Sequence, residues 1–130
     1  MQKQDLQNRE DVYRLVSSFY KKVRKNPEIG YFFNEVIKDW DEHLNKLTDF
    51  WESHLFGKAI YYGNPKIAHI EVDQRNNEQI SSYHFGVWLN MWFETIDELY
   101  EGEKAQRAKT NARKMSSNLY LKMYEARSSK

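Results

Sequence analysis

The side chains of this sequence best suited to chemistry are its four histidines and a few hydrogen-bonding aromatics. A neutral imidazole can ligate a metal or move a proton near neutral pH. His43 has Leu47 four residues on and Phe50 seven on, so on a helix it shares their inward face. That setting suits a core-edge histidine as well as a working one. His69 is flanked by Ile67 and Ile70; taken alone, a histidine beside apolar residues is more often structural than a ligand. His84 shares an apolar stripe with Ile80 and Trp88 and reads as a core or rim residue. His54 precedes Leu55-Phe56-Gly57 at a helix end, where a cation complements the helix dipole. Tyr20, next to Phe19, needs a partner for its hydroxyl if buried, either a backbone carbonyl or something held in a pocket. Trp88 poses the same question, because an indole N–H only donates.

Other site chemistries lack their residues. The chain has no cysteine, which removes disulfides, thiolate metal sites and cysteine nucleophiles and fits a reducing, cytoplasmic setting. There is no H-E-x-x-H zinc motif, no Glu-x-x-His pair of the di-iron bundles, no G-x-S-x-G elbow and no G-x-x-x-x-G-K phosphate loop. The 20 basic residues are balanced by 19 acidic ones, so the basic surplus that nucleic-acid binding requires is missing. The N-terminal residues have no apolar core of the signal-peptide kind, and no run of about 18 apolar residues would span a membrane.

The elements that must position these side chains are helices. Five glycines and two prolines in 130 residues leave few breaks, and one domain is expected over 1–130, with residues 1–7 and 127–130 frayed. Val12, Leu15, Val16, Phe19, Tyr20 and Val23 recur at helical spacing, predicting a helix over about Asn8 to Lys25 that stops at Asn26-Pro27. A short aromatic segment follows, about Ile29 to Lys38. Asp39 is an N-cap for a helix carrying Leu44, Leu47, Phe50, Trp51 and Leu55, closed by Gly57. A long connection, about Gly57 to Asn77, holds Asn64-Pro65 and a short helix, Pro65 to Val72, with His69 on it. A connection of that length in a compact domain is usually functional or disordered. A long helix over about Glu78 to Glu101, with Ile80, Tyr83, His84, Val87, Trp88, Met91, Trp92, Ile96 and Leu99 at helical spacing, is broken by Gly102. A last helix over about Glu103 to Ala126 turns Ala105, Ala108, Ala112, Met115, Leu119 and Met123 inward. Aromatics make up 15% of the chain, which implies either a heavily aromatic core or a pocket for a flat apolar ligand.

Pieces spread along the chain then form a recognisable order. They are Phe19-Tyr20-Lys21-Lys22-Val23-Arg24; Gly30 to Phe33; Trp40 to His43 with Phe50-Trp51; Tyr62-Gly63-Asn64-Pro65 with His69; His84-Phe85 with Trp88-Leu89; and Glu94 to Leu99 running into Gly102-Glu103 and Ala105. In this order and spacing the chain resembles the truncated haemoglobins, and within them the group III branch, from about Leu15 to Leu119. One departure stands out: the family tends to follow its proximal histidine with Leu-Pro, whereas this chain reads Ile70-Glu71-Val72-Asp73.

The resemblance implies an all-α fold, a truncated globin built as a two-on-two helical sandwich around haem b. It implies His69 as the iron ligand and Tyr20, His43 and Trp88 as the distal pocket. Phe33, Leu47, Phe50, Trp51, Phe85 and Leu89 would line the haem, with Lys46 as a propionate partner. The expected ligands are oxygen, nitric oxide and carbon monoxide. Donors aimed at a diatomic ligand that gains negative charge would hold it firmly, which favours redox chemistry over bulk transport. Two alternatives stay open. One is a haem enzyme proper, a peroxidase or a nitric oxide dioxygenase with a reductase partner. The other is a haemless helical interaction module in which His43, His69 and Trp88 are structural.

Overall fold

The computed structural model describes residues 3–35, 37–57 and 81–128. Within these residues the chain forms helices and no strand: α1 (Arg9–Lys25), α2 (Gly30–Asn34), α3 (Trp40–Phe56), α4 (Ser82–Leu99) and α5 (Glu103–Ser128). None of them is long and apolar enough to cross a membrane. The connection carrying His69 and Asn64-Pro65 lies outside the described residues.

Local chemistry sets each boundary. Asn8 caps α1 by accepting from the Asp11 amide at 3.0 Å. Glu10 and Asp11 sit at the positive end of the α1 dipole, and Lys22, Arg24 and Lys25 at the negative end. Asn26, ahead of Pro27, turns extended (φ −73°, ψ 126°), and its side chain accepts from the amides of Glu28 and Ile29, re-aiming the chain into α2. Gly30 seats α2 on the last turn of α1. A Cβ there would lie 2.8 Å from the carbonyl oxygens of Val23 and Arg24. The short segment closes at Asn34, earlier than the spacing of its aromatics suggests.

Asp39 caps α3 through the Glu42 amide, as expected, and Gly57 ends it in the left-handed region at φ 68°. α4 begins at Ser82 rather than near Glu78, because Ser81 and His84 form a capping box. The His84 Nδ1 accepts from the Ser81 amide at 2.9 Å. Tyr83, two residues into that box, points outward and is 60% exposed, so it leaves the apolar stripe in which its spacing places it.

The segment ahead of α1 is tied down where fraying was expected. Leu6 is buried, and Asp5 accepts from the amides of Lys104 and Ala105 at 2.8 and 2.9 Å, capping α5 from a distance in sequence.

The helices pack as two layers. α1 lies against α3 and α4, α4 against α5, and α3 also touches α5. This is the two-on-two arrangement. Its centre is aromatic: Trp92 meets Phe19 edge to face at 4.9 Å and stacks on Trp51 at 4.8 Å. The Trp92 indole donates to the Ala108 carbonyl at 3.2 Å. Ala105, Ala108 and Ala112 keep that face of α5 small enough for the indole to reach it. At the edge of the core, Arg9 of α1 meets the buried Glu52 of α3 at 3.0 Å and Asp49 at 2.6 Å.

Candidate functional site

Tyr20 stands where α1, α2, α3 and α4 meet. The buried face of α1 carries it, one residue after the core residue Phe19. Its ring lies edge to face with Phe33 of α2 (5.8 Å, 73°) and with His43 of α3 (5.9 Å, 84°). Trp40 lies 5.9 Å from it. Trp40 and His43, one helical turn apart, face each other at 5.5 Å and 88°. From α4, the Trp88 indole approaches the Tyr20 phenol oxygen as a donor, and Phe19 braces Trp88 at 5.3 Å and 87°. The fold thus brings Tyr20, His43 and Trp88 together from three helices.

Burial pushes the Tyr20 phenol up to about 12, because desolvation opposes the phenolate more than the hydrogen bond from Trp88 favours it. Tyr20 is therefore a neutral group that keeps its proton across the physiological range. Trp88 has one donor and directs it at Tyr20.

Around this cluster the apolar side chains divide into two sets. Phe33, Leu44, Leu47, Phe85, Trp88 and Leu89 are half-buried at the margin of the core. Phe50 and Trp51 lie deeper: both are buried, they meet each other at 5.4 Å, and Trp51 belongs to the Trp92 stack. Phe85 packs against Tyr120 of α5 at 5.8 Å. The half-buried set fits a flat, mostly apolar group. It is aromatic and aliphatic with few polar atoms, and those few are the donors of the Tyr20 cluster.

Lys46 is exposed and paired with Glu42 at 3.0 Å. His84 is a capping residue that also packs on Phe32 at 4.9 Å. His54 lies against Phe50 at 4.4 Å, and burial pushes its imidazole down, toward the neutral form rather than the dipole-complementing cation. His69 lies outside the described residues.

Trp40 is the residue that sequence reasoning left out of the pocket. Its signal is spacing: it precedes His43 by three and Leu44 by four, so all three share one helical face.

Two packed helix pairs around an aromatic core have the truncated-globin fold. The chain is 29% identical over 122 residues to Group 3 truncated hemoglobin ctb of Campylobacter jejuni, covering 91% of this chain and 92% of that one. The crystal structure of group III truncated hemoglobin from Campylobacter jejuni superposes with a TM-score of 0.82 at 28% identity, covering 95% of this chain and 97% of that one. No protein-family model matches the chain. In sequence and in fold the chain is similar to the group III truncated haemoglobins.

Proposed function

We propose that this chain is a haem protein that binds oxygen, nitric oxide and carbon monoxide at a His69-ligated iron, for redox or nitric oxide/oxygen chemistry rather than bulk transport. The observation that carries this reading is the buried, neutral Tyr20 held between His43 and Trp88 beside a half-buried apolar margin. Haem b, bound there, would supply an iron with one open position for a diatomic ligand.

The remaining chemistry belongs to the side chains. Tyr20 holds a proton at its phenol oxygen, and the Trp88 indole approaches that oxygen as a donor. The proton is then the one the pocket can offer to a ligand gaining negative charge. Phe33, edge-on to Tyr20, limits the ring's swing. His43, half-buried at the edge of the cluster, is placed to donate to a ligand or to gate its path from solvent. Phe33, Leu47, Phe85 and Leu89 would line the haem, with Phe50 and Trp51 backing them from the core. Lys46 would reach a propionate by exchanging its pairing with Glu42. Cytoplasmic work with a reductase as electron donor completes the reading.

The test is the visible absorption spectrum of the purified protein, ferric and then reduced with and without carbon monoxide, beside the His69→Ala variant. A haem spectrum with a carbon monoxide adduct, lost or altered in the variant, is the expected result. Absence of any haem band after reconstitution overturns the reading and returns the aromatic cluster to an ordinary helical core.

A further inference from the structure

Behind Tyr20, between α1 and the start of α3, the surface opens into a cleft of about 620 Å³. Its lining is one-sided in charge. Lys21, Arg24 and Lys25 enter it from α1 and Lys38 from the turn before α3, and among the described residues no carboxylate lines it. Two cations elsewhere on α1 are matched by carboxylates. Lys22 bonds Glu94 and Glu98 of α4, and Arg9 bonds Asp49 and Glu52 of α3. In a chain whose charges balance to +1, four cations facing one concavity without a carboxylate are a local exception.

The cleft also presents an oriented guanidinium. Arg24 lies over the Trp40 ring, 4.5 Å from its centre. Its Nε donates to the Asn34 Oδ1 at 3.4 Å, while the Asn34 amide donates back to the Arg24 carbonyl at 3.1 Å. The ring and Asn34 fix the plane of the group, and among the described residues no ion pair engages its two terminal amino groups. A planar guanidinium held in this way matches the two-oxygen edge of an oxyanion, a geometry that a lysine point charge cannot offer. The floor is Trp40 and Tyr20, so one indole ring separates the cleft from the cluster formed by Tyr20 and His43.

We propose that this cleft binds a small inorganic oxyanion of planar shape, such as nitrate, through the Arg24 fork, with Lys21, Lys25 and Lys38 supplying the surrounding field. The assignment rests on the cleft's own geometry and stands apart from the haem reading.

The experiment is an amide and side-chain ¹H–¹⁵N titration of the purified protein, reduced and saturated with carbon monoxide, using sodium nitrate against sodium chloride at equal ionic strength. Carbon monoxide binding reports on the haem separately, and the anion titration is read whether or not the adduct forms. Saturable nitrate shifts are expected at the Trp40 indole, the Arg24 Nε and the amides of residues 21–25. Arg24→Gln should weaken binding by about tenfold or more. Arg24→Lys, which keeps the charge and loses the fork, should recover little of it. Arg24 is exposed, so these variants should retain the parent's thermal unfolding midpoint. An equal response to chloride, a shift that never saturates, or unchanged affinity in Arg24→Gln overturns the proposal. So does a short polyglutamate peptide that binds the cleft more tightly than nitrate, which would make it a docking face for an acidic protein.

Discussion

The indole of Trp88 approaches the phenol oxygen of Tyr20 as a donor, and this pairing divides the labour between the two residues. An indole has a single donor and no acceptor, whereas a phenol has both. Once Trp88 has donated to Tyr20, Trp88 has nothing left to offer a ligand and Tyr20 still has its proton. The two residues are then a donor and its support.

Tyr20→Phe should speed oxygen dissociation from the reduced protein about two- to tenfold, the value of one neutral hydrogen bond of about 0.5–1.5 kcal/mol. Trp88→Phe should have a smaller effect in the Tyr20 background and almost none once Tyr20 is Phe, because Trp88 acts through the phenol. Stopped-flow displacement of oxygen by carbon monoxide reads all three variants. Additive effects of the two substitutions would show instead that Trp88 reaches the ligand independently of Tyr20.

The buried phenol also ties stability to alkaline pH. Its folded-state value is pushed up to about 12 from an ordinary 10. Between these values the unfolded chain has released the proton and the folded chain has kept it, so unfolding is favoured as pH rises. The stabilisation is complete below pH 10 and is lost as pH climbs to about 12, a change on the order of 2–3 kcal/mol. Urea titrations at pH 9 and pH 11 should show a larger loss for the parent than for Tyr20→Phe, whose difference from the parent isolates this group from the other tyrosines. Equal losses in the two proteins would mean that the phenol titrates as an exposed one does.

Much of this arrangement is legible in the sequence, for a physical reason. Capping and periodicity are local, so Asp39, Gly57 and the α1 stripe from Val12 to Val23 appear in the structure where pattern places them. What pattern misses depends on contacts between residues distant in the chain. Asp5 caps α5 from about a hundred residues away, so the leading segment looks free to fray when it is not. Tyr83 fits the α4 stripe by spacing, yet the Ser81–His84 box sets the helix start and leaves Tyr83 outside. The convergence of Tyr20, His43 and Trp88 came from family resemblance; periodicity assigns each only to the inner face of its own helix.

Gly30 is a packing constraint that a single methyl group should expose. Its Cα faces the carbonyl oxygens of Val23 and Arg24, and a Cβ would come within 2.8 Å of both backbone atoms, which cannot turn aside as a side chain would. Gly30→Ala must therefore lift α2 from the end of α1, and it carries Phe32 and Phe33 with it. A cost of about 1–3 kcal/mol is expected by urea unfolding despite alanine's better helix propensity. Gly86, where a Cβ would meet nothing within 4 Å, is the control: Gly86→Ala on the same scale should be neutral or stabilising.

Glu52 is a carboxylate with only 5% of its surface exposed, set between α1 and α3. The Arg9 guanidinium reaches it at 3.0 Å, while also meeting Asp49 at 2.6 Å, and so pins the first turn of α1 to the middle of α3. Burying a carboxylate is costly unless donors meet it, and removing one partner leaves part of that cost uncovered. Arg9 itself is about two-fifths exposed, so solvent covers some of the loss. Arg9→Ala should therefore cost about 1–3 kcal/mol, short of what a fully buried pair would lose. Adding Glu52→Gln to that variant removes the buried charge and should return part of the stability, which denaturant midpoints at unchanged slope would show. A double variant no more stable than Arg9→Ala would place the cost in lost packing of the arginine stem instead of in the charge it covers.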